Sequence, residues 1–213
     1  MKIETTIIEG FDTVKFFRKV KEKISKEIYG MSDEQLKEYF KNNTKEKFFE
    51  RMQKEYVKFW HTERIAQAKA IGLSPVQVSI LASIVDQEAL LNREMVRIAG
   101  VYMNRLNRGI KLEADPTVIF ANGDFTVKRV LYKLLQKDSP YNTYKYSGLP
   151  PGPICMPSVA AIDAVLHFEK HNYIYFCAKE DFSGLHNFAS NVTEHQMNAR
   201  KFQQALNNRG IKK

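Results

Sequence analysis

With 213 residues, 33 Lys+Arg against 24 Asp+Glu and a formal net charge of +9, the chain is long enough to bury a full core, most simply as one domain with a small appendage. Its basic balance suits an anionic partner, whether nucleic acid, a phospholipid surface or an acidic cell-wall polymer, and does not choose among them. No zinc-finger spacing or RNA-binding aromatic signature accompanies the charge, which disfavours nucleic acid.

Cys155 and Cys177 lie outside any C-x-x-C pair. This argues against a cysteine-bound metal and leaves either one disulfide or two free thiols. No apolar stretch approaches the roughly 18 to 20 residues that span a bilayer, and MKIETTIIEG has no secretory apolar core, so these residues are expected to be soluble by themselves.

In chain order, a short strand is predicted at Ile3 to Glu9, broken by Gly10, then a basic amphipathic helix from about Thr13 to Ile28 with Lys15, Arg18, Lys19, Lys21 and Lys23 as a solvated face. Ser32 with Gln35 forms a capping box that opens a short polar helix ending near Asn43. One longer helix is expected from about Lys45 to Ile71, where Phe48, Phe49, Met52, Tyr56, Phe59 and Trp60 recur at helical spacing and read as core packing; Gly72 ends it.

Ser74, Pro75 and Gln77 then supply an N-cap, a proline at the first helical position and a capping box. In the helix that follows, Val76, Val78, Ile80, Leu81, Ala82, Ile84 and Val85 spread apolar groups around much of the circumference, so burial is expected on several sides. The run ends in LASIVDQEA with Glu88. A carboxyl carried to the end of such a helix is partly desolvated, which raises its pKa toward the range useful for proton donation. Glu88 is thus a candidate general acid; pairing with Arg93 or capping of the next helix is the structural alternative. Asp86, two residues away, points in a different direction.

Asn92 is expected to cap a helix through Asn107, with Met95, Val96, Ile98, Ala99, Tyr102 and Leu106 inward and Gly109 just beyond its end. An extended piece at Ile110 to Glu113 and a helix near Thr126 to Leu135 lead into a long loop to Pro157 that holds five of the seven prolines and reads as an ordered, shaped wall. A helix from Ser158 to Phe168, a strand at Tyr173 to Ala178 and a last helix opening at Thr193 complete the chain. His167 and His171 have the spacing of a helical metal pair, but no third ligand accompanies them.

Several segments, in order, resemble the YceG-like endolytic murein transglycosylases, the MltG family: IGLSPVQVSILASIVDQEA, VYMNRLNRGIKLEADPTVIFA, YNTYKYSGLPPGPI, YIYFCAK, and the H-x-F-x-S-N pattern from His186 to Asn191 followed by Glu194 and His195. The resemblance implies an α+β fold, mainly helical with small sheets, with a catalytic domain over residues 44–213 preceded by a partial LysM-like subdomain over 1–43. It implies cleavage of peptidoglycan glycan strands without water, leaving 1,6-anhydro-N-acetylmuramic acid ends, with Glu88 as acid and then base and with no cofactor or metal.

By the same resemblance Asp115 and Thr117 line the cleft, and the loop contributes Tyr141, Asn142, Thr143, Tyr144, Leu149, Pro150, Pro151 and Gly152 as glycan contacts. Ser190 and Asn191 match a second cleft strand, while His186 is expected to order that region. Family members carry a membrane anchor, which these residues do not contain, and act at the outer face of the cytoplasmic membrane, with peptidoglycan synthases as candidate partners. The family's G-Y-L-F-P-D-T-Y-like segment has no clear counterpart here; EQLKEYFKNNTKEKFF takes its place. Two other readings stand beside this one: a hydrolytic muramidase using Glu88 with Asp115, and a catalytically silent glycan-binding scaffold.

Overall fold

The computed structural model describes residues 26–27, 29–43, 46–127 and 130–210. The expected strand at Ile3 to Glu9, most of the first basic helix and much of the LysM-like subdomain fall outside these residues. Chain contacts divide the protein into two compact units, Met1–Phe59 and Trp60–Lys213, a division later in the chain than the 43/44 boundary read from sequence.

The first unit contributes α1 (Asp33–Asn43) and α2 (Glu46–Phe59). Ser32 and Gln35 form the expected reciprocal cap at the start of α1: the Gln35 N–H donates to Ser32 Oγ at 3.3 Å, and the Ser32 N–H to Gln35 Oε1 at 2.9 Å. The helix expected from Lys45 to Ile71 is instead two. Trp60 and His61 leave helical geometry, His61 is extended at φ −71° and ψ 171°, and α3 (Thr62–Ala70) begins after it. Of the aromatic stripe, Trp60 is buried while Phe48 and Tyr56 are about half exposed, so core packing accounts for only part of it.

The second unit is built around α4 (Pro75–Glu88), α5 (Asn92–Asn107) and α8 (Val159–Leu166), with α6 (Asp115–Asn122) and α7 (Tyr132–Leu135) between. These are followed by β1 (Tyr175–Ala178), β2 (His186–Ala189) and α9 (Val192–Asn208). The cap at Ser74 forms as its residues predict, with the Gln77 N–H donating to Ser74 Oγ and Gln77 Oε1 accepting from the Ser74 N–H. Val78 and every residue from Ile80 to Val85 are buried, so α4 is enclosed on several sides by α5, α6 and α8. No single described helix is long and apolar enough to cross a membrane.

Polar ties hold these helices in place. Asp86 turns away from Glu88 and accepts from both the backbone N–H (3.2 Å) and the Oγ (2.7 Å) of Ser158, the N-cap of α8. Arg64 of α3 reaches Asp163 of α8 at 2.8 Å. On α5, Gly100 lets the chain at Glu169 and His171 close in: a β-carbon there would lie 2.3 Å from the Glu169 carbonyl oxygen.

Three local expectations are corrected. Asn92 is the first helical residue of α5 rather than its cap, a position held by Leu91 without a side-chain bond. The helix expected at Thr126 to Leu135 is only the single turn of α7. Asp115, whose place before Pro116 reads as an N-cap or turn former, is instead the first helical residue of the two-turn helix α6, with Ala114 at the cap position, Pro116 in the first turn and Gly123 in the left-handed conformation at its end. The sheet is a two-stranded antiparallel ribbon in the register Tyr175↔Ala189, Phe176↔Phe188, Cys177↔Asn187 and Ala178↔His186. Small sheets on a helical body agree with the α+β class.

Candidate active site

α4 ends at Glu88 because Ala89 turns extended, and α5 leaves at Asn92 after a short link. Glu88 therefore sits where two buried helices diverge, and it opens into a cavity of about 500 Å³. Around it stand Tyr102, Arg105, Leu112, Glu113, Asp115 and Tyr144. The rest of the wall is Tyr175 to Ala178, His186 and His195.

Burial is the main influence on Glu88 and pushes its pKa up; a hydrogen bond from Tyr102 pulls it down and the negative charge of Asp115 raises it again, to about 7. Tyr102 Oη donates to Glu88 Oε1 at 2.8 Å. Among the described residues no donor reaches Oε2, which leaves that oxygen to a ligand. Tyr102 is itself fully buried, and burial followed by the Glu88 charge raises its pKa, so it stays a neutral donor. The Arg93 pairing considered from sequence does not form; the partner is a tyrosine fourteen residues on.

Asp115 begins α6 and is exposed, and Tyr144 Oη donates to its Oδ1 at 2.6 Å. Burial and then this bond raise the Tyr144 pKa, which keeps its proton on oxygen. Arg105 is buried and binds four acceptors: the carbonyls of Ile174, Lys111 and Leu112 and the Glu113 carboxylate at 3.0 Å. It fixes the extended piece before α6 to the chain entering β1. Glu113 holds φ at +51°, a left-handed backbone that the Arg105 bonds help to maintain.

Of the thirteen residues expected at the site, the cavity is lined by Glu88, Asp115 and Tyr144. Thr117, Asn142 and Thr143 lie behind its wall rather than on it. All three are buried. Thr117 Oγ1 and Thr143 Oγ1 are 2.8 Å apart, Thr117 donates to the Ala114 carbonyl, and Thr143 accepts from the Ala114 N–H. Asn142 spends its amide on the Leu135 and Lys137 carbonyls and accepts from the Tyr144 N–H. Their polar atoms are used in holding Asp115 and Tyr144 in place.

Tyr141 packs on Phe120 with ring centroids 4.7 Å apart, and Gly152 leaves room for its hydroxyl. Leu149, Pro150 and Pro151 likewise do not line the cavity, Pro150 being buried. Ser190 and Asn191 cap α9 instead of forming a cleft strand: Asn191 Oδ1 accepts from the Glu194 N–H, and the Ser190 N–H donates to Glu194 Oε2. His186 lines the cavity, and its Nδ1 lies 3.0 Å from Glu94 Oε2. Cys155 and Cys177 are both free.

Sequence reasoning missed Tyr102, Arg105 and the β1 wall as site residues. An arginine on the otherwise apolar inner side of α5 was a usable signal, because a buried guanidinium must find several acceptors. Among the described residues no group of three His, Cys, Asp or Glu side chains converges as a metal site.

The YceG-like family pattern matches residues 2–201. The chain is 38% identical over 137 residues to the endolytic murein transglycosylase of Bacillus subtilis, covering 64% of this chain and 37% of that protein. It is 33% identical over 134 residues to the endolytic murein transglycosylase of Streptococcus pneumoniae, covering 61% and 24%. It therefore spans between about a quarter and somewhat over a third of the length of these relatives. The crystal structure of a YceG-like protein of Listeria monocytogenes is similar at a TM-score of 0.56 with 37% identity, over 62% of this chain and 42% of that one. Family pattern, relatives and fold agree, and the chain belongs to the YceG-like family.

Proposed function

We propose that this chain cleaves the glycan strands of peptidoglycan by lytic transglycosylation, as the names of its relatives describe for them, at the outer face of the cytoplasmic membrane. The observation that carries the reading is the setting of Glu88: one carboxyl, its pKa raised to about 7, facing a cavity with one oxygen held by Tyr102 and the other free.

The proton of neutral Glu88 resides on Oε2, since Oε1 accepts from Tyr102. From there it passes to the glycosidic oxygen as the bond to C1 of N-acetylmuramic acid breaks and oxocarbenium character develops. The carboxylate so formed then takes the proton of the sugar's own C6 hydroxyl as that oxygen bonds to C1. An internal nucleophile gains from proximity, so the protein need only hold the ring and exclude water. The Tyr102 bond strengthens as Glu88 ionises, which favours the half of the cycle in which it acts as base.

A hydrolytic reading has one observation in its favour: Asp115 lies in the same cavity, close enough for its charge to raise Glu88. In that case Asp115 would act as nucleophile or as base toward water. Mass spectrometry of products from uncrosslinked strands separates the two. Anhydro ends formed by the parent and lost by at least about a thousandfold in Glu88→Gln support the lytic reading; reducing ends would replace it with the hydrolase. Glycan binding with no cleavage by the parent would make the chain a binding module.

A further inference from the structure

One carboxylate holds a single histidine of the cavity wall at two points. Glu94, buried in the first turn of α5, accepts from the backbone N–H of His186 at Oε1 (3.1 Å) and from its Nδ1 at Oε2 (3.0 Å). The start of a helix suits a negative charge, and a carboxylate only accepts. The proton of the neutral imidazole therefore sits on Nδ1, and Nε2 presents a lone pair.

That lone pair is left to a ligand. Nε2 has no partner among the described residues, yet it is not one of the polar atoms sealed from solvent without a partner. The His186 side chain is only 12% exposed and lines the cavity, so its opening is onto that space. Ala178, opposite it in the ladder, is too small to cover the ring. Phe176 meets Tyr102 edge to face at 5.8 Å and His186 edge to face at 5.2 Å. Tyr102 in turn holds Glu88. Acid and imidazole are therefore linked through two aromatic rings in contact and face one cavity, a span that a bound oligosaccharide covers.

The structure assigns His186 as a second substrate-contacting group of this site: its Nε2 accepts a hydrogen bond from a hydroxyl of the glycan held against Glu88, and Glu94 is the positioning residue that fixes its tautomer and direction. Glu88 already supplies both proton transfers of the proposed reaction, so His186 carries no proton during turnover. Its bond is made to the bound strand before and during cleavage alike and contributes to binding rather than to the chemical step. The inference rests on the glycan reading of the cavity and adds a contact to it.

His186→Asn separates this role from a structural one, because the asparagine amide nitrogen can stand where Nδ1 stood and keep the Glu94 bond while the cavity-facing acceptor is lost. With short, soluble, uncrosslinked glycan strands, KM is expected to rise about three- to thirtyfold with kcat within about twofold of the parent. The melting temperature should stay close to that of the parent. An unchanged KM in the folded variant overturns the assignment, as does a fall in kcat alone, which would place His186 in the chemical step. A second measurement needs no change at His186. In the ¹⁵N-histidine-labelled Glu88→Gln chain, which cannot consume its ligand, His186 is expected to carry its proton on Nδ1, and its Nε2 signal to move when the strands are added. A proton on Nε2 in the free chain, or an Nε2 signal that ignores the strands, overturns the assignment. Product analysis of the parent is read separately: anhydro ends together with an unaltered KM in His186→Asn leave the lytic reading intact and remove only this contact, whereas a parent that neither binds nor cleaves glycan removes both.

Discussion

Tyr102 Oη, one turn before the end of the buried part of α5, donates 2.8 Å to Oε1 of Glu88 at the end of α4. This bond and the charge of Asp115 act on the same carboxyl in opposite directions, the first lowering its pKa and the second raising it. Removing each should therefore move the alkaline limb of the pH–rate profile opposite ways. In Tyr102→Phe the carboxylate loses a donor, Glu88 holds its proton to higher pH, and the limb moves up. In Asp115→Asn a repelling charge is gone and the limb moves down. Profiles of glycan cleavage by the three proteins check this; shifts of the same sign would refute the assignment. Under the lytic reading Asp115→Asn still forms anhydro ends, whereas a nucleophilic Asp115 would cost several orders of magnitude.

Glu88 also couples pH to folding. Its folded pKa of about 7 lies above the ordinary value of 4.5, so the folded state binds the proton more tightly. Stability from this group is fully present below about 4.5 and is lost as pH rises through about 7, an effect on the order of 3 kcal/mol. Glu88→Gln removes the penalty. It should unfold a few degrees higher than the parent at pH 8 and show little difference at pH 4.5. Paired thermal melts at the two pH values measure it; a larger gap at the lower pH would reverse the sign.

The Thr117–Thr143 pair tests whether buried groups behind the wall act by positioning. Replacing Thr117 by Val leaves Thr143 Oγ1 and the Ala114 carbonyl each short of a partner, and should cost about 1–3 kcal/mol. Substitution of Thr143 costs a similar amount. The double variant should cost less than the sum of the two, because the second change removes a group already left unsatisfied. Denaturant unfolding of the four proteins provides the cycle, and full additivity would mean that the two hydroxyls do not share a bond.

Gly100→Ala is expected to destabilise although alanine favours helices by about 1 kcal/mol. The new methyl would lie 2.3 Å from the Glu169 carbonyl oxygen and 2.6 Å from His171 Nε2. Backbone on one side leaves little room to yield, and overpacking of this kind costs about 1–3 kcal/mol. A melting temperature equal to or above that of the parent would show that the chain from Glu169 to His171 can move aside.

Local chemistry was readable where neighbours in sequence settle the matter. The reciprocal caps at Ser32 and Ser74 depend on residues three apart, and the burial of α4 from Ile80 to Val85 follows from its dense apolar run, although Val76 in its first turn is exposed. The likeness of LASIVDQEA to the YceG-like pattern singles out Glu88. An Asp-Pro pair caps helices and opens turns alike, and packing of α6 against α4 decides that Asp115 begins a helix. Periodicity joined α2 to α3 across Trp60 and His61, where helical spacing continues although the backbone does not.

What surrounds Glu88 belongs to the tertiary structure. The loop YNTYKYSGLPPGPI looked like a glycan wall because tyrosines, amides and hydroxyls suit sugars. Folding turns Asn142 and Thr143 inward to satisfy buried backbone groups and leaves only Tyr144 of that loop on the cavity. Another part of the wall comes from a strand about ninety positions beyond Glu88, which no local pattern ties to it. Sequence alone thus determined the apolar helix and the carboxyl of Glu88 that it carries at its end, since both are properties of one segment. Which oxygen Tyr102 holds, which hydroxyls face the cavity and which strand lines it were decided by packing, since each depends on where distant segments meet.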